Sequence, residues 1–323
     1  MPTPSPAVPA TTRVGFPSGA TSDTSTIVAA HPLGEGRLGV VTAATPFHPL
    51  DHTWPDQPGD TGTLTLPADG RELPVVDCLT GALGPAPAGT AADASGVPGA
   101  PGAPGLLIGP DIPVRRGEEG WAWLVVHVVT APAGDPAALP EPSALLGAEA
   151  LLRVDTARRA ALSAAHTGCH LLALALNEAL VPRWRKEARA DAFGHPDFDG
   201  LAMDTSRMGV EASTDVYRIG KSLRKKGFTA DGLAEELPKI QDAVNERLAG
   251  WLAADAPVRV ETDGPELTAR RRWVCELPEG TASLFCGGTH LTRLGELAAL
   301  TTELQLGADG TELTAVTTPV LRG

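Results

Sequence analysis

The sequence predicts an α+β protein in which a small β-barrel domain precedes an α/β domain with an antiparallel sheet and packed helices. Two observations lead to this prediction. In the first half, short segments alternate apolar with small or polar residues and are separated by turn residues, which is typical of strands. After residue 150, a long apolar stretch and a segment with apolar residues at every fourth position indicate helices.

The β-barrel domain is predicted at residues 26–145. RLGVVTAATPF and TGTLTL supply two of its strands, with PDQPGDTG as the turn region between them, and WAWLVVHVVT at residues 121–130 supplies another. Residues 81–119 include GVPGAPGAPG, a linker composition with too little apolar surface to pack, so we expect a mobile insertion there. Residues 1–25 are rich in Pro, Ser, Thr and Ala, and we expect a disordered tail.

The α/β domain is predicted at residues 150–323. It begins with a strand and continues into a long helix that ends at Pro182, since proline breaks a helix. PKIQDAVNERLAGWLAAD is a second predicted helix, and VRVET, RRRWVCEL and TELTAVT are predicted strands. The apolar stripe of the second helix consists of Ile240, Val244, Leu248 and Leu252.

Composition narrows the class of protein. No apolar run approaches the roughly 20 residues that cross a bilayer, and the N-terminus lacks the charged start and apolar core of a secretory signal. The four cysteines do not form the dense framework of a secreted disulfide protein. We therefore expect a cytoplasmic protein without a membrane partner. The net charge of −13 argues against non-specific nucleic-acid binding, and no DNA partner is expected.

Two pairs of metal-ligand residues stand out. HTGCH, residues 166–170, places His166 and His170 on one helix face, because positions i and i+4 are neighbours there. CGGTH, residues 286–290, places Cys286 and His290 four apart, with glycines that let the backbone bend so that thiolate and imidazole converge. Together these four side chains match the tetrahedral nitrogen and sulfur preference of zinc, and we predict one Zn²⁺ per chain.

Each pair alone has an ordinary structural interpretation. Histidines four apart often lie on a solvated helix face, and a cysteine in a turn is often a small buried hydrophobic residue. The number of protein ligands, three or four, stays open from the sequence. Cys169 lies inside HTGCH on a different face of the helix, so we interpret it as a core residue.

HTGCHLL and FCGGTH resemble the editing domain shared by alanyl- and threonyl-tRNA synthetases and by the free-standing AlaX-type trans-editing proteins. DTARR, QPGDTG at residues 57–62 and LGEL after CGGTH are similar to further family segments. The resemblance covers roughly residues 40–80 and 120–320, and no adenylation or anticodon-binding region is present. The usual GGGQPGDTG is replaced by WPDQPGDTG, which leaves amino-acid specificity open. His48 and His52 just upstream are candidate pocket residues, although loop histidines are more often structural.

The resemblance implies a zinc-dependent hydrolase that removes an incorrect amino acid from tRNA in trans and so supports the fidelity of translation. The partner implied is mischarged tRNA, either seryl-tRNA(Ala) or a threonyl-type ester that includes fluorothreonyl-tRNA. Thr167 and Thr289, each beside a ligand, are predicted catalytic-site residues that contact the hydroxyl or ammonium group of the substrate. The alternative role of Thr289 is to cap or brace its turn. GxSxG, HExxH and Walker motifs do not occur in the sequence.

Two basic stretches are predicted to hold the tRNA backbone. DVYRIGKSLRKKGF, residues 215–228, is dense in cations for so acidic a chain, and PRWRKEAR, residues 182–189, adds more beside a tryptophan. An alternative interpretation of both is a solvated surface. The predicted tRNA-binding residues are Arg218, Lys221, Arg224, Lys225 and Lys226, with Arg183, Arg185 and Lys186 in the second stretch.

Two other functions stay open from the sequence. A non-catalytic tRNA-binding module would use the zinc for structure alone, and four protein ligands with no open position would favour it. A metal-dependent hydrolase of a small ester or amide would not need the basic stretch at residues 215–228. FGHPDFDGLAMDTSRMG, residues 193–209, also resembles one bacterial branch of the editors, but its Asp199, Asp204 and Ser206 receive no role. The oligomeric state is open as well.

Overall fold

The computed structural model describes residues 10–84, 105–131 and 139–323. The chain divides into two compact units. The first unit holds the described residues up to Thr156 together with Thr262–Arg270, and the second holds Ala157–Glu261 and Arg271–Gly323. Strands predominate and helices are few, so the predicted α+β class is confirmed.

The first unit is a strand assembly. Its strands are β1 (Arg13–Val14), β2 (Ser22–Gly34), β3 (Arg37–Thr42), β4 (Ala44–Thr45), β5 (Gly62–Leu66), β6 (Arg71–Leu83), β7 (Leu107–Ile108), β8 (Ala122–Thr130) and β9 (Glu149–Val154). A short helix, α1 (Pro142–Leu145), precedes β9. Six strands form a ring in the order β5–β9–β2–β3–β8–β6, with β6 pairing back to β5, and every neighbouring pair is antiparallel.

β8, between β3 and β6, is the most buried strand of this ring, and its sequence explains why. AWLVVHVVT is almost continuously apolar, and eight of its nine residues are buried. A strand with apolar residues on both faces must be covered on both faces. The predicted strand at residues 121–130 is thus confirmed as the most buried strand of the unit.

The expected disordered tail, residues 1–25, is wrong for the part that the structure describes. β1 and the start of β2 lie in residues 10–25, while residues 1–9 fall outside the described chain. Phe16 is 3% exposed in the core of the unit. Thr12 N donates to the carbonyl oxygen of Trp123 at 2.9 Å, so the segment is tied to β8. A count of Pro, Ser and Thr misses these few anchoring residues.

The predicted mobile insertion at residues 81–119 is only partly described. Residues 85–104 lie outside the described chain. On either side of that gap, Ala82 of β6 pairs with Leu107 of β7, and Ile112 is buried in the core. Both flanks of the predicted insertion therefore contribute residues to the sheet, through the end of β6 and through β7.

The second unit combines two antiparallel sheets with helices. Its helices are α2 (Thr156–Ala179), α3 (Phe198–Ala202), α4 (Lys221–Lys225) and α5 (Leu233–Ala254). Its strands are β10 (Met203–Met208), β11 (Ser213–Arg218), β12 (Val258–Thr262), β13 (Arg271–Leu277), β14 (Gly280–Phe285), β15 (Leu297–Leu306) and β16 (Glu312–Leu321). One sheet has the order β10–β11–β16–β15 and the other the order β12–β13–β14.

The two long helices of the second unit follow the predicted patterns. The predicted stripe on α5 is buried at Ile240, Val244 and Leu248, whereas Leu252 is half-buried. α5 begins five residues before Pro238, which lies inside the helix. Sixteen of the 24 residues of α2 are buried, so this helix is covered on most of its surface. α2 is therefore a fixed support for the side chains that it carries.

The structure moves the predicted domain boundary. We predicted a second domain at residues 150–323, but β9 pairs with β2 and β5 of the first unit. Residues 262–270 also return to the first unit, where Leu267 is fully buried. No helix of the described residues is long and apolar enough to cross a membrane.

Candidate metal centre

α2 presents the first pair of ligands. His166 is 1% exposed and His170 is half-buried, and their ring centroids lie 5.0 Å apart. This is the separation expected of side chains one helical turn apart on the same face. Because α2 is packed on most of its surface, the backbone positions of both histidines are fixed by the fold.

The turn after β14 presents the second pair. Cys286 follows directly after the strand, and its backbone N–H donates to the carbonyl oxygen of Arg271 at 3.2 Å. The N–H of Gly288 points at Cys286 Sγ, at 3.5 Å. Two residues later the chain reaches His290, whose Nε2 lies 3.2 Å from Cys286 Sγ. The Gly287–Gly288 bend thus brings the thiol and the imidazole to the same point.

The four predicted ligands meet in space. Cys286 Sγ lies 3.3 Å from His166 Nε2, and the ligand atoms of His166, His170, Cys286 and His290 all lie within 4.8 Å of one another. With zinc–sulfur and zinc–nitrogen bonds of about 2.3 and 2.0 Å at tetrahedral angles, a sulfur and a nitrogen ligand lie about 3.5 Å apart. The two sulfur–nitrogen distances are close to that value, so the donor set fits a tetrahedral ion.

His170 gives an independent test of the fit. Its Nε2 atom is shielded from solvent and has no hydrogen-bond partner among the described residues. A buried polar atom of this kind is costly unless something binds it. Burial lowers the pKa of His170 to about 4, so the imidazole is neutral and its nitrogen is available as a ligand at neutral pH. The residues present therefore fit a metal ion.

Thr167 and Thr289, which we predicted to contact substrate, are both buried beside the ligands, with Thr167 fully buried and Thr289 2% exposed. Their contact with substrate stays a prediction. Thr167 Oγ1 lies 3.3 Å from His290 Nδ1 and accepts the N–H of Leu291 at 3.1 Å. Thr289 Oγ1 accepts the hydroxyl of Ser163 at 2.9 Å. Both threonines thus orient the ligand turn against α2, as groups behind metal ligands commonly do.

One wall of the centre is apolar. The ring of Trp273, which is fully buried, lies 5.0 Å from that of His170 and 6.2 Å from that of His290. Trp273 lies on the same side of β13 as the buried Arg271 and Cys275, because side chains two apart on a strand point to one face. An apolar wall lowers the local dielectric constant and strengthens electrostatic interactions at the ion.

Within WPDQPGDTG and its upstream histidines, His48 and Gly59 pack closely in the first unit, whereas Trp54 is 44% exposed. His48 is 5% exposed, and its ring packs edge-on against Phe16 at 4.9 Å. The backbone N–H of His48 donates to Asp60 Oδ2 at 2.6 Å. His52 is half-buried. A Cβ at Gly59 would fall inside van der Waals contact of the Cys78 carbonyl oxygen. Gly59 is therefore required by close packing of the turn against β6.

The two predicted basic stretches lie side by side. Arg185 N donates to the carbonyl oxygen of Gly227 at 2.9 Å, and the rings of Trp184 and Phe228 meet edge-on at 5.4 Å. All five predicted tRNA-binding residues are exposed, as are Arg185 and Lys186. We define the basic surface as Arg185, Lys186, Lys221, Arg224, Lys225 and Lys226.

Two predicted cations have other partners. Arg183 is 6% exposed and binds Glu236 at 2.5 Å as well as the carbonyl oxygens of Asp231 and Gly232, so its role is structural. Arg218 pairs with Asp204 at 3.2 Å on the surface. This ion pair also accounts for Asp204, which had no predicted role.

Sequence reasoning missed a cluster of acids beside α2. Asp215 is fully buried, and its Oδ1 accepts the hydroxyl of Ser206 at 2.5 Å and lies 3.6 Å from Cys169 Sγ. The hydroxyl of Tyr217 donates to Asp199 Oδ1 at 3.0 Å. The predicted core position of Cys169, which is 7% exposed, is confirmed.

Burial raises the pKa of both acids. The pKa of Asp199 rises to about 7, with the negative charge of Asp215 as the second cause, and that of Asp215 rises to about 6. The unusual run of acids in FGHPDFDGLAMDTSRMG was the only sign of the cluster in the sequence. Its partner, Asp215, comes from a separate strand.

In comparisons with known proteins, no family model matches the sequence, and no curated protein matches it. The likeness to the editing domains of alanyl- and threonyl-tRNA synthetases therefore rests on the motifs quoted above.

Proposed function

We propose that the protein is a zinc-dependent deacylase that hydrolyses the ester of mischarged aminoacyl-tRNA in trans. The observation that supports this most is the meeting of HTGCH and CGGTH, two motifs about 120 residues apart in the chain, at four ligand atoms within 4.8 Å of one another. Three imidazoles and one thiolate are the ligand types that zinc prefers. We take the ring of six strands as the small β-barrel that accompanies the editing domain in this family.

The residues of the chain have distinct roles in this proposal. His166, His170, Cys286 and His290 hold the ion, and Thr167 fixes the His290 ring through Nδ1, so that Nε2 faces the ion. A zinc ion in such a site supplies Lewis-acid polarisation of a carbonyl group and acidification of water. Cys286 Sγ lies between two imidazoles, which suits a ligand better than a nucleophile. An activated aminoacyl ester does not require a seryl or cysteinyl nucleophile.

The basic surface supports tRNA as the substrate. In a chain of net charge −13, six exposed cations from two distant stretches are brought together on one surface. Phosphate groups of an RNA backbone are the ligands that such a surface attracts, by charge rather than by base sequence. The amino acid removed, seryl or threonyl-type including fluorothreonyl, is the open part of the proposal.

A second candidate function is favoured by the number of ligands. Four protein ligands around one ion leave no open position in a tetrahedral site, which is typical of structural zinc. The protein would then be a tRNA-binding module without activity. Against this, Cys286 and His290 are only half-buried, whereas the ligands of a purely structural ion need no exposure to solvent.

A deacylation panel tests the proposal. Purified protein is offered seryl-, threonyl-, fluorothreonyl-, glycyl- and alanyl-tRNA, with and without a chelator, next to the His290→Ala variant. We expect cleavage of at least one non-alanyl ester that both chelation and the variant abolish. A zinc-loaded protein that binds tRNA and cleaves none of these esters would support the structural-zinc function instead. Cleavage of small esters by a protein that neither binds nor deacylates tRNA would indicate a small-molecule hydrolase.

A further inference from the structure

Phe285, the residue directly before the ligand Cys286, is unusually exposed for its type. It is 69% exposed, whereas the other five phenylalanines of the chain are buried or half-buried. Its Cα lies about 3.8 Å from that of Cys286, because the two residues are consecutive. A large aromatic ring in water next to a candidate active centre costs free energy unless a ligand covers it.

The ring of Phe285 is held by a cation. Phe285 is the cross-strand partner of Arg272 on the exposed face of the β13–β14 hairpin. The Arg272 guanidinium carbon lies over the ring, 4.5 Å from its centroid. One face of the ring is thus stacked on a positive charge, and the high exposure of the residue leaves the rest of the ring accessible.

An aromatic ring combined with an arginine is the usual means by which proteins hold unpaired nucleotides. The ring stacks on a base whatever the base sequence, and the cation attracts the adjacent phosphate. In an aminoacyl-tRNA the ester lies on the last ribose of a single-stranded 3′ end. When the ester carbonyl is at the metal centre, the unpaired bases beside that ribose are therefore close to the centre, and Phe285 is an exposed aromatic residue next to it.

We propose that Phe285, backed by Arg272, is the stacking platform for one unpaired base at the 3′ end of the RNA substrate. This inference rests on the proposed function, because it takes RNA as the molecule that carries the ester. Phe285 is then a positioning residue, since it binds the nucleotide and does not touch the reacting bond. Its effect falls on substrate binding, whereas that of the metal ligands falls on the hydrolysis itself.

The test uses the zinc-loaded full chain and an acceptor-stem RNA hairpin that ends in the unpaired 3′ sequence CCA. Binding of the fluorescently labelled hairpin is compared for wild type, Phe285→Ala and Phe285→Tyr. Hairpins with an abasic nucleotide at each of the three unpaired positions are measured in parallel. Val320→Ala, which removes another exposed apolar side chain of the same unit, is the matched control.

We expect Phe285→Ala to weaken binding about tenfold, the usual effect of losing one base–aromatic stack. Phe285→Tyr and Val320→Ala should bind as wild type does. For one of the three abasic hairpins, wild type and Phe285→Ala should bind equally, because the stack is already absent. If Phe285→Ala loses the same affinity for all hairpins, or loses affinity for none of them, the platform is overturned.

Hydrolysis separates this inference from the proposed function. If wild type cleaves an aminoacyl ester, Phe285→Ala should raise KM and leave kcat within about twofold. If the protein hydrolyses the ester but the effect of Phe285→Ala does not depend on which base is present, the platform is overturned and the proposed function stands. A base-dependent effect in a protein that cleaves no ester would overturn the hydrolase and leave an RNA-binding platform beside a structural zinc.

Discussion

At the scale of single residues, the candidate metal centre includes a hydroxyl that is not itself a candidate ligand. Thr167 Oγ1 connects His290 Nδ1 to the N–H of Leu291, which is itself 4% exposed. If the imidazole binds the ion through Nε2, its Nδ1 carries the proton and donates to Thr167. Thr167 on α2 thus orients His290, which lies 123 residues further along the chain.

We predict that Thr167→Val weakens zinc binding by about 10- to 100-fold, the usual effect of losing a group behind a ligand. Stability should fall by about 1–3 kcal/mol, because the Leu291 N–H is left buried without an acceptor. A competitive chelator titration and urea unfolding measure the two effects. Thr302→Val is the control, because it removes another buried hydroxyl that bonds to Thr317 at 2.9 Å. If both variants bind zinc as wild type does, Thr167 does not support His290.

The pair of acids beside α2 makes stability depend on pH. The folded pKa of Asp199, about 7, lies above its ordinary value of 3.8. The folded state therefore binds the extra proton, and the stabilisation is complete below pH 3.8 and is lost as the pH rises to about 7. The raised pKa of Asp215, about 6, acts in the same direction over a narrower range.

We predict that Asp199→Asn flattens this dependence. Asparagine keeps an oxygen that accepts the Tyr217 hydroxyl but has no charge to desolvate. When the pH is raised from about 5 to about 7, the unfolding free energy of the wild type should fall by on the order of 1–2 kcal/mol relative to that of the variant. Urea unfolding of the two proteins across this range measures the difference. Parallel curves would show that Asp199 titrates normally in the folded protein.

At the scale of elements, close packing of the QPGDTG turn against β6 restricts one glycine. Gly59 has the Cys78 carbonyl oxygen, Asp77 Oδ1 and the Cys78 nitrogen where a Cβ would lie. We predict that Gly59→Ala lowers the unfolding free energy by more than about 2 kcal/mol, since backbone cannot move aside as a flexible side chain can. Gly105→Ala, where a Cβ meets nothing within 4 Å, should have little effect. Thermal unfolding measures both, and equal melting temperatures would contradict the packing requirement.

The basic surface is also a property of two elements together. Lys186 follows α2 and Lys225 ends α4, and both are exposed. We predict that Lys186→Gln with Lys225→Gln weakens tRNA binding and lowers the slope of log affinity against log salt by about 1 to 2. Lys239→Gln, an exposed cation on α5, is the control. An unchanged salt slope in the double variant would place the RNA elsewhere.

The candidate ligands could be predicted from local spacing, whereas contacts between distant segments could not. His166 with His170 and Cys286 with His290 are each fixed by four residues of spacing, one on a helix and one on a glycine turn. The contact of Trp184 with Phe228 depends on how distant segments pack, and no spacing shows it. The same holds for the hydrogen bond from the Leu291 N–H to Thr167 Oγ1, because these two residues are far apart in the sequence.

At the scale of the whole molecule, the sequence predicted two units but not the path of the chain between them. The change from strands to a long helix near residue 150 was visible as a change in apolar period. The return of residues 262–270 to the first unit was not, because it depends on a single buried residue, Leu267, and a few backbone hydrogen bonds. All four metal ligands belong to the second unit, so the proposed chemistry is assigned to that unit alone.

The most direct test is the metal content and coordination of the purified protein. Elemental analysis should find one zinc ion per chain in the wild type and a large loss in His170→Ala. X-ray absorption at the zinc edge should show one sulfur ligand at about 2.3 Å and nitrogen ligands at about 2.0 Å. Zinc far below one equivalent in protein reconstituted with excess metal, or a coordination shell without sulfur, would contradict the centre built from HTGCH and CGGTH.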